Sequence, residues 1–227
     1  MRYVALDFET GNASPLSACA LGASIFEDDV LVREQVSLIR PPAGVRKFHW
    51  GNVRVNHITE KMVADAPAFD EVWQGLAADT EGSVIVCHNA SFDTGVLGAC
   101  LAHYHLRAPE CRFLCTVKVA RRVWPGLDNH KLDTVSAALG IELDHHEAGS
   151  DARAAGLILQ AALRETGSAD ADELAEKIGM RLGRISCMGT VPCSIAREAR
   201  ADHLNHVNGV TMSYINSNIF WFKFFLD

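Results

Sequence analysis

The chain has 227 residues, 21 Lys+Arg against 28 Asp+Glu for a net charge of −7, and 48% hydrophobic and 22% charged residues. This is the composition of a globular protein long enough for one sizeable core and an appendage. The acidity excludes a protein that coats nucleic acid through clustered Lys and Arg, although it leaves open an enzyme that reaches nucleic acid through bound cations.

Residues 3–8 read as a short strand, and periodic segments at 18–26 and 30–39 flank the turn-like Glu27-Asp28-Asp29, which makes three strands of an antiparallel meander. Arg40-Pro41-Pro42 ends the third strand, and an irregular loop is expected from there to His57. Thr59 and Asp65 then read as helix starts. Phe69, Val72, Trp73 and Leu76 recur at helical spacing. Residues 83–87 are a short buried strand, Phe92, Val96, Leu97, Cys100 and Leu101 share one helix face, and 112–115 is another strand. Two helices, 116–124 and 132–139, precede a last one from Asp151 that carries Ala154, Ala155, Ile158, Leu159 and Ala162. This order predicts an α/β fold, a mixed five-stranded sheet flanked by helices.

Carboxylates mark the ends of these elements. Asp7 and Glu9 stand two apart on the first strand, so a period of two places both on one face. Asp93 lies in the first turn after the 83–87 strand, where connections carry function, and Asp151 opens the last long helix. Taken singly, Asp93 and Asp151 are also what helix N-termini favour, and Glu9 is also a solvated strand end. Together, four converging carboxylates repel one another unless cations sit between them. Hard oxygen donors select Mg²⁺ or Mn²⁺, and two such ions are the arrangement used for phosphodiester cleavage. His146 carries an imidazole, a side chain whose ordinary range lies near neutrality, on a loop, and is the natural acceptor of a water proton.

Leu6-Asp7-Phe8-Glu9-Thr10, His88-Asn89-Ala90-Ser91-Phe92-Asp93 and His146-x4-Asp151-Ala152 resemble, in order, the three motifs of the DEDD exonuclease superfamily in its histidine-bearing branch, the DnaQ-like 3′–5′ exonucleases. The resemblance covers roughly residues 1–166 and extends to Asn56-His57-Ile58-Thr59, which is similar to the family's H-G-I-T but lacks its Gly. It implies an RNase H-like fold and two-metal hydrolysis, with Mg²⁺ or Mn²⁺, at a nucleic acid 3′ end, DNA in the first instance and RNA as the alternative. It also implies that Asp7, Glu9, Asp93 and Asp151 are metal ligands and that His146, five residues before the last Asp, is the general base in preference to His145. Thr10, Asn89 and Phe92 are implied to contact the terminal nucleotide. Glu147, where many members carry Arg or Asn, adds a negative charge beside the base.

Other features carry two readings each. His88 is a structural hydrogen-bond partner or a second histidine near the site. Lys118, Arg121 and Arg122, with Arg46, Lys47 and Arg54, hold substrate phosphates or form solvated surface. Phe48 and Trp50 stack on a base or pack under their loop. Gly167-Ser168 marks a composition change, giving an exonuclease domain over 1–166 and a C-terminal extension over 167–227 that opens with a helix at 170–180. Cys187, Cys193, His203 and His206 fall outside zinc-finger spacings. The stretch 219–226 holds four Phe and one Trp and is read as docking on the body, on a second copy, or on a polymerase or other protein partner. Lys223 interrupts it well short of the roughly 20 residues of a membrane span. No membrane association is expected. Seven cysteines without a CxxC pair, and a carboxylate at position 7 where a secretory signal would be apolar, make a reducing, cytoplasmic location the expectation.

Overall fold

A computed structural model describes residues 1–196; the aromatic stretch 219–226, His203 and His206 lie outside the described residues. Three antiparallel strands, β1 (Arg2–Thr10), β2 (Ala18–Glu27) and β3 (Val30–Leu38), come first. Helices α1 (Trp50–Asn56), α2 (Phe69–Gln74) and α3 (Ala77–Thr80) lead to β4 (Val84–Cys87), α4 (Ala90–His103) and β5 (Cys111–Cys115). Then follow α5 (Thr116–Val123), α6 (Leu132–Leu139), α7 (Ala148–Thr166) and α8 (Ala171–Lys177). Four short strands close the unit: β6 (Met180–Arg181), β7 (Gly183–Ser186), β8 (Gly189–Val191) and β9 (Ser194–Ile195). Among the described residues no helix is long and apolar enough to cross a membrane.

The main sheet runs β3-β2-β1-β4-β5-β7-β8. The five expected strands are present, with β4 and β5 parallel in line with β1, but the sheet has seven. Residues 167–196, assigned from sequence to an extension of unspecified structure, supply β7 and β8, and β7 pairs antiparallel with β5. An exposed β5 edge would leave its N–H and C=O groups unpaired; β7 closes it, and the compact unit runs from Met1 to Ala196.

Two layers of core follow from the period of two along β1. Val4, Leu6 and Phe8 pack with Phe69, Trp73, Val96 and Leu97 of α2 and α4, while Tyr3 and Ala5 pack with Ala155, Leu159 and Ala162 of α7. Each fully buried large side chain contributes roughly 1.5–3 kcal/mol. Toward the sheet α7 presents the small residues Ala155, Gly156 and Ala162 beside Leu159 and Leu163. By the same alternation Asp7 and Glu9 project on the α7 side.

Two local expectations fail. Residues 50–56, read as loop, form α1, capped by the His49 side chain accepting from Gly51 N–H and ended by His57 at φ 59°. Thr59 and Asp65 start no helix, and residues 60–65 are turns; Pro67 restricts Ala66 away from helical geometry, leaving too few residues to nucleate one.

Candidate active site

Glycine 22 sets the site's closest approach. In the β1–β2 register Asp7 faces Gly22 and Glu9 faces Ala20. A Cβ at position 22 would lie 2.0 Å from the Ala148 carbonyl oxygen and 2.5 Å from the Gly149 nitrogen. The first turn of α7 therefore rests on bare backbone opposite Asp7, which carries Asp151 to the two strand carboxylates. One oxygen from each of Asp7, Glu9 and Asp151 lies within 4.8 Å of the others. Asp7 and Glu9 are half-buried and Asp151 is 4% exposed.

Asp151 bears the cost of this convergence. Its Oδ2 accepts the His146 N–H at 3.1 Å, whereas its buried Oδ1 has no hydrogen-bond partner among the described residues. Burial first, then the negative charges of Glu9, Glu147 and Asp144, pushes its carboxyl up to about 7, against the hydrogen bond from His146. Such an oxygen suits a cation: three hard carboxylates with one uncompensated buried oxygen fit Mg²⁺ or Mn²⁺.

Asp93 reaches the same strand from the other side of the sheet. The β1–β4 ladder ends at Ala5–Val86, so Phe8 N–H is left over, and Asp93 Oδ1, from the first turn of α4, accepts it at 3.0 Å. Asp93 is 2% exposed and stands beside the three-carboxylate group without joining its 4.8 Å circle.

His146 has φ 73°, a left-handed conformation that costs a non-glycine residue free energy, and its hydrogen bond to Asp151 holds it there. The His145 and His146 rings stack at 3.8 Å. Glu147, expected to add charge beside the base, instead turns its carboxylate onto Gly149 N–H and Ser150 N–H as the cap of α7. This cap begins the helix at Ala148, three residues before the expected start.

The nucleotide-contact candidates separate. Thr10 is buried, with its carbonyl accepting from Asn52 Nδ2 at 2.9 Å and Asn56 Nδ2 at 3.2 Å. Asn89 is exposed at φ 66°, just before α4, a conformation Asn tolerates better than most residues. Phe92 is half-buried against the core. Phe48 packs over Gly11, while Trp50 is 70% exposed, so only Trp50 of that pair retains the stacking reading. His88 proves structural: Nδ1 meets Thr116 Oγ1 at 2.8 Å, Nε2 meets the His130 carbonyl at 3.1 Å, and burial lowers it to about 4. Lys118 donates to the Cys193 carbonyl, and Cys193 is buried while Cys187 is exposed.

Two residues were not singled out for roles at the site from sequence. Asn56 donates to Glu9 Oε2 at 3.0 Å as well as to Thr10, fixing the second carboxylate; the signal was its place in the segment similar to H-G-I-T. Gly22 was visible as a glycine inside a strand, a mark of close backbone approach.

A family model described as exonuclease matches residues 4–159. The 3′–5′ exonuclease DinG of Bacillus subtilis is 29% identical over 161 residues, 69% of this chain and 17% of that protein. A PolC-type DNA polymerase III of Lacticaseibacillus paracasei is 27% identical over 184 residues, 78% of this chain and 12% of the polymerase. The chain thus spans under a fifth of the length of these curated relatives. Among solved structures, exonuclease X in complex with 5′-overhanging duplex DNA superposes with a TM-score of 0.60 at 25% identity, covering 78% of this chain and 99% of that one.

Proposed function

The chain belongs to the exonuclease family, and from that premise we propose that it is a 3′–5′ exonuclease that hydrolyses DNA phosphodiester bonds and releases nucleoside monophosphates. The observation that carries the reading is the meeting of one oxygen from each of Asp7, Glu9 and Asp151 within 4.8 Å, with the buried Oδ1 of Asp151 lacking a hydrogen-bond partner among the described residues. DNA is favoured over RNA because the relatives include PolC-type DNA polymerase III and the neighbouring exonuclease X structure holds duplex DNA.

Asp7, Glu9, Asp151 and the adjacent Asp93 would hold two Mg²⁺ or Mn²⁺ ions. When bound, these supply the positive charge that draws in the scissile phosphate and acidifies a water. The remaining work belongs to the protein. His146 accepts the proton of the attacking water, its loop anchored through Asp151 at the edge of the carboxylate group. Asn56 keeps Glu9 aimed, and Asp93 pins the β1 backbone between Asp7 and Glu9. Thr10, Asn89 and Phe92 are assigned to the terminal nucleotide, and of these Asn89 is exposed to receive it.

The test uses 5′-labelled single strands of one sequence, DNA and RNA, with Mg²⁺ or Mn²⁺ and the Asp7→Ala protein alongside. The expected result is a ladder shortening from the 3′ end, faster on DNA and absent with Asp7→Ala. Full activity in folded Asp7→Ala protein would sink the assignment, and a faster RNA ladder would transfer the substrate to RNA.

A further inference from the structure

Asp151 belongs to two clusters. Besides its group with Asp7 and Glu9, it forms one with His145 and His146, in which one ligand atom from each residue lies within 4.8 Å of the others. His145 Nε2 is 4.0 Å from Asp151 Oδ2, and the two imidazoles are stacked at 3.8 Å with their planes 16° apart. The family resemblance uses one histidine here, so His145 has no assigned task. We propose that His145, His146 and Asp151 form a second metal site, selective for a borderline ion such as Zn²⁺ and mutually exclusive with the all-carboxylate site.

The donor sets separate the ions. Two imidazole nitrogens and one carboxylate oxygen are a ligand set of Zn²⁺, whereas Mg²⁺ takes oxygen and gives up water reluctantly. Zinc bonds of about 2.0–2.2 Å require the present spacing to contract. The His145 ring is exposed, while Asp151, fixed in α7 and 4% exposed, supplies the rigid corner. The Asp151 oxygen nearest the histidines is Oδ2, 4.0 Å from His145 Nε2 and reached by the His146 N–H at 3.1 Å.

Occupancy would engage the Asp151 carboxylate that the Asp7–Glu9 group shares and tie up the imidazole that accepts the water proton, so Zn²⁺ inhibits. This consequence rests on the proposed function; the binding itself does not. The experiment titrates the full chain with Zn²⁺ against a chromophoric chelator, uses Co²⁺ absorption as a spectroscopic probe of nitrogen ligation, and measures Mg²⁺-supported DNA hydrolysis under added Zn²⁺. His145→Ala is expected to weaken Zn²⁺ binding at least about tenfold, since outer-shell changes alone cost that much. It should raise the Zn²⁺ concentration for half inhibition equally and leave the Mg²⁺-supported rate within about twofold of the parent.

Equal Zn²⁺ affinity and an unchanged Co²⁺ spectrum in His145→Ala would overturn the site, as would parent protein that binds no Zn²⁺. If neither DNA nor RNA is cut but His145→Ala still loses Zn²⁺ affinity, the exonuclease reading fails and the site stands.

Discussion

Replacing Gly22 with Ala tests whether the α7–β2 contact positions the reaction. The added Cβ would sit 2.0 Å from the Ala148 oxygen and 2.2 Å from its carbonyl carbon, against the 3.4–4 Å of ordinary contact. The obstruction is backbone, so no rotamer change relieves it, and the first turn of α7 must retreat by about 1 Å or more. Overpacking of this kind costs about 1–3 kcal/mol, a fall in Tm of roughly 2–12 °C for a protein of this size. Because Asp151 lies one turn along the same helix, it leaves Asp7 and Glu9 by a similar distance, and a misplacement of about 1 Å costs about 10²-fold in rate. The assay is kcat on a labelled DNA strand at saturating Mg²⁺ and at a temperature below the variant's Tm, with Gly44→Ala, where an added Cβ meets nothing within 4 Å, as control. A kcat within about threefold of the parent would refute the claim that this contact positions Asp151. A lowered Tm with unchanged kcat would refute it too, leaving the glycine a role in packing alone.

Three other substitutions probe separate features. Asp151→Asn in chelator should raise Tm. The carboxyl is pushed up from 3.8 to about 7, so its ionisation costs the fold increasingly as pH rises across that window, and the gain should be absent near pH 4 and reach a few kcal/mol at most by pH 8; a gain independent of pH would contradict the burial account. His57→Gly should stabilise by about 0.5–1 kcal/mol by relieving the φ of 59° at the end of α1, net of the extra freedom of glycine in the unfolded chain; a loss on chemical denaturation would show the exposed imidazole has a task. His88, held neutral and lowered to about 4 from 6.5, gives stability that is present above pH 6.5 and lost as pH falls toward 4. His88→Gln should flatten that acid limb in thermal melts, and an unchanged limb would locate the titration elsewhere.

The strands through β5 and the helices beginning at Phe69 and Ala90 were legible because buried β-runs and helical apolar faces write their own periods, whereas α1 and the expected helix starts at Thr59 and Asp65 were misread. The carboxylates were legible because Asp7 and Glu9 share a strand face by arithmetic. What could not be read was pairing at a distance. Segment 50–56 carries no apolar stripe; Asn52 and Asn56 tie α1 to the Thr10 carbonyl and Glu9, polar contacts that hydrophobic periodicity does not mark. Strands β7 and β8 are four and three residues of mixed character; β7 forms on the edge that β5 offers, and β8 pairs with β7.

The same distinction explains the site's mechanics. A motif names which side chains carry charge, but the free energy that forces those charges together comes from elsewhere: from the apolar packing of α7 on the sheet, from Gly22 admitting the helix backbone, and from the Glu147 cap that fixes where the helix starts. Repulsion among Asp7, Glu9 and Asp151 is tolerated because that packing outweighs it, and the uncompensated Oδ1 of Asp151 is what remains to be satisfied by a cation. A substitution that loosens the packing should therefore weaken cation binding without touching a carboxylate, whereas one that removes a carboxylate should tighten the fold. These opposite signs on stability separate the scaffold from the ligands within one small site.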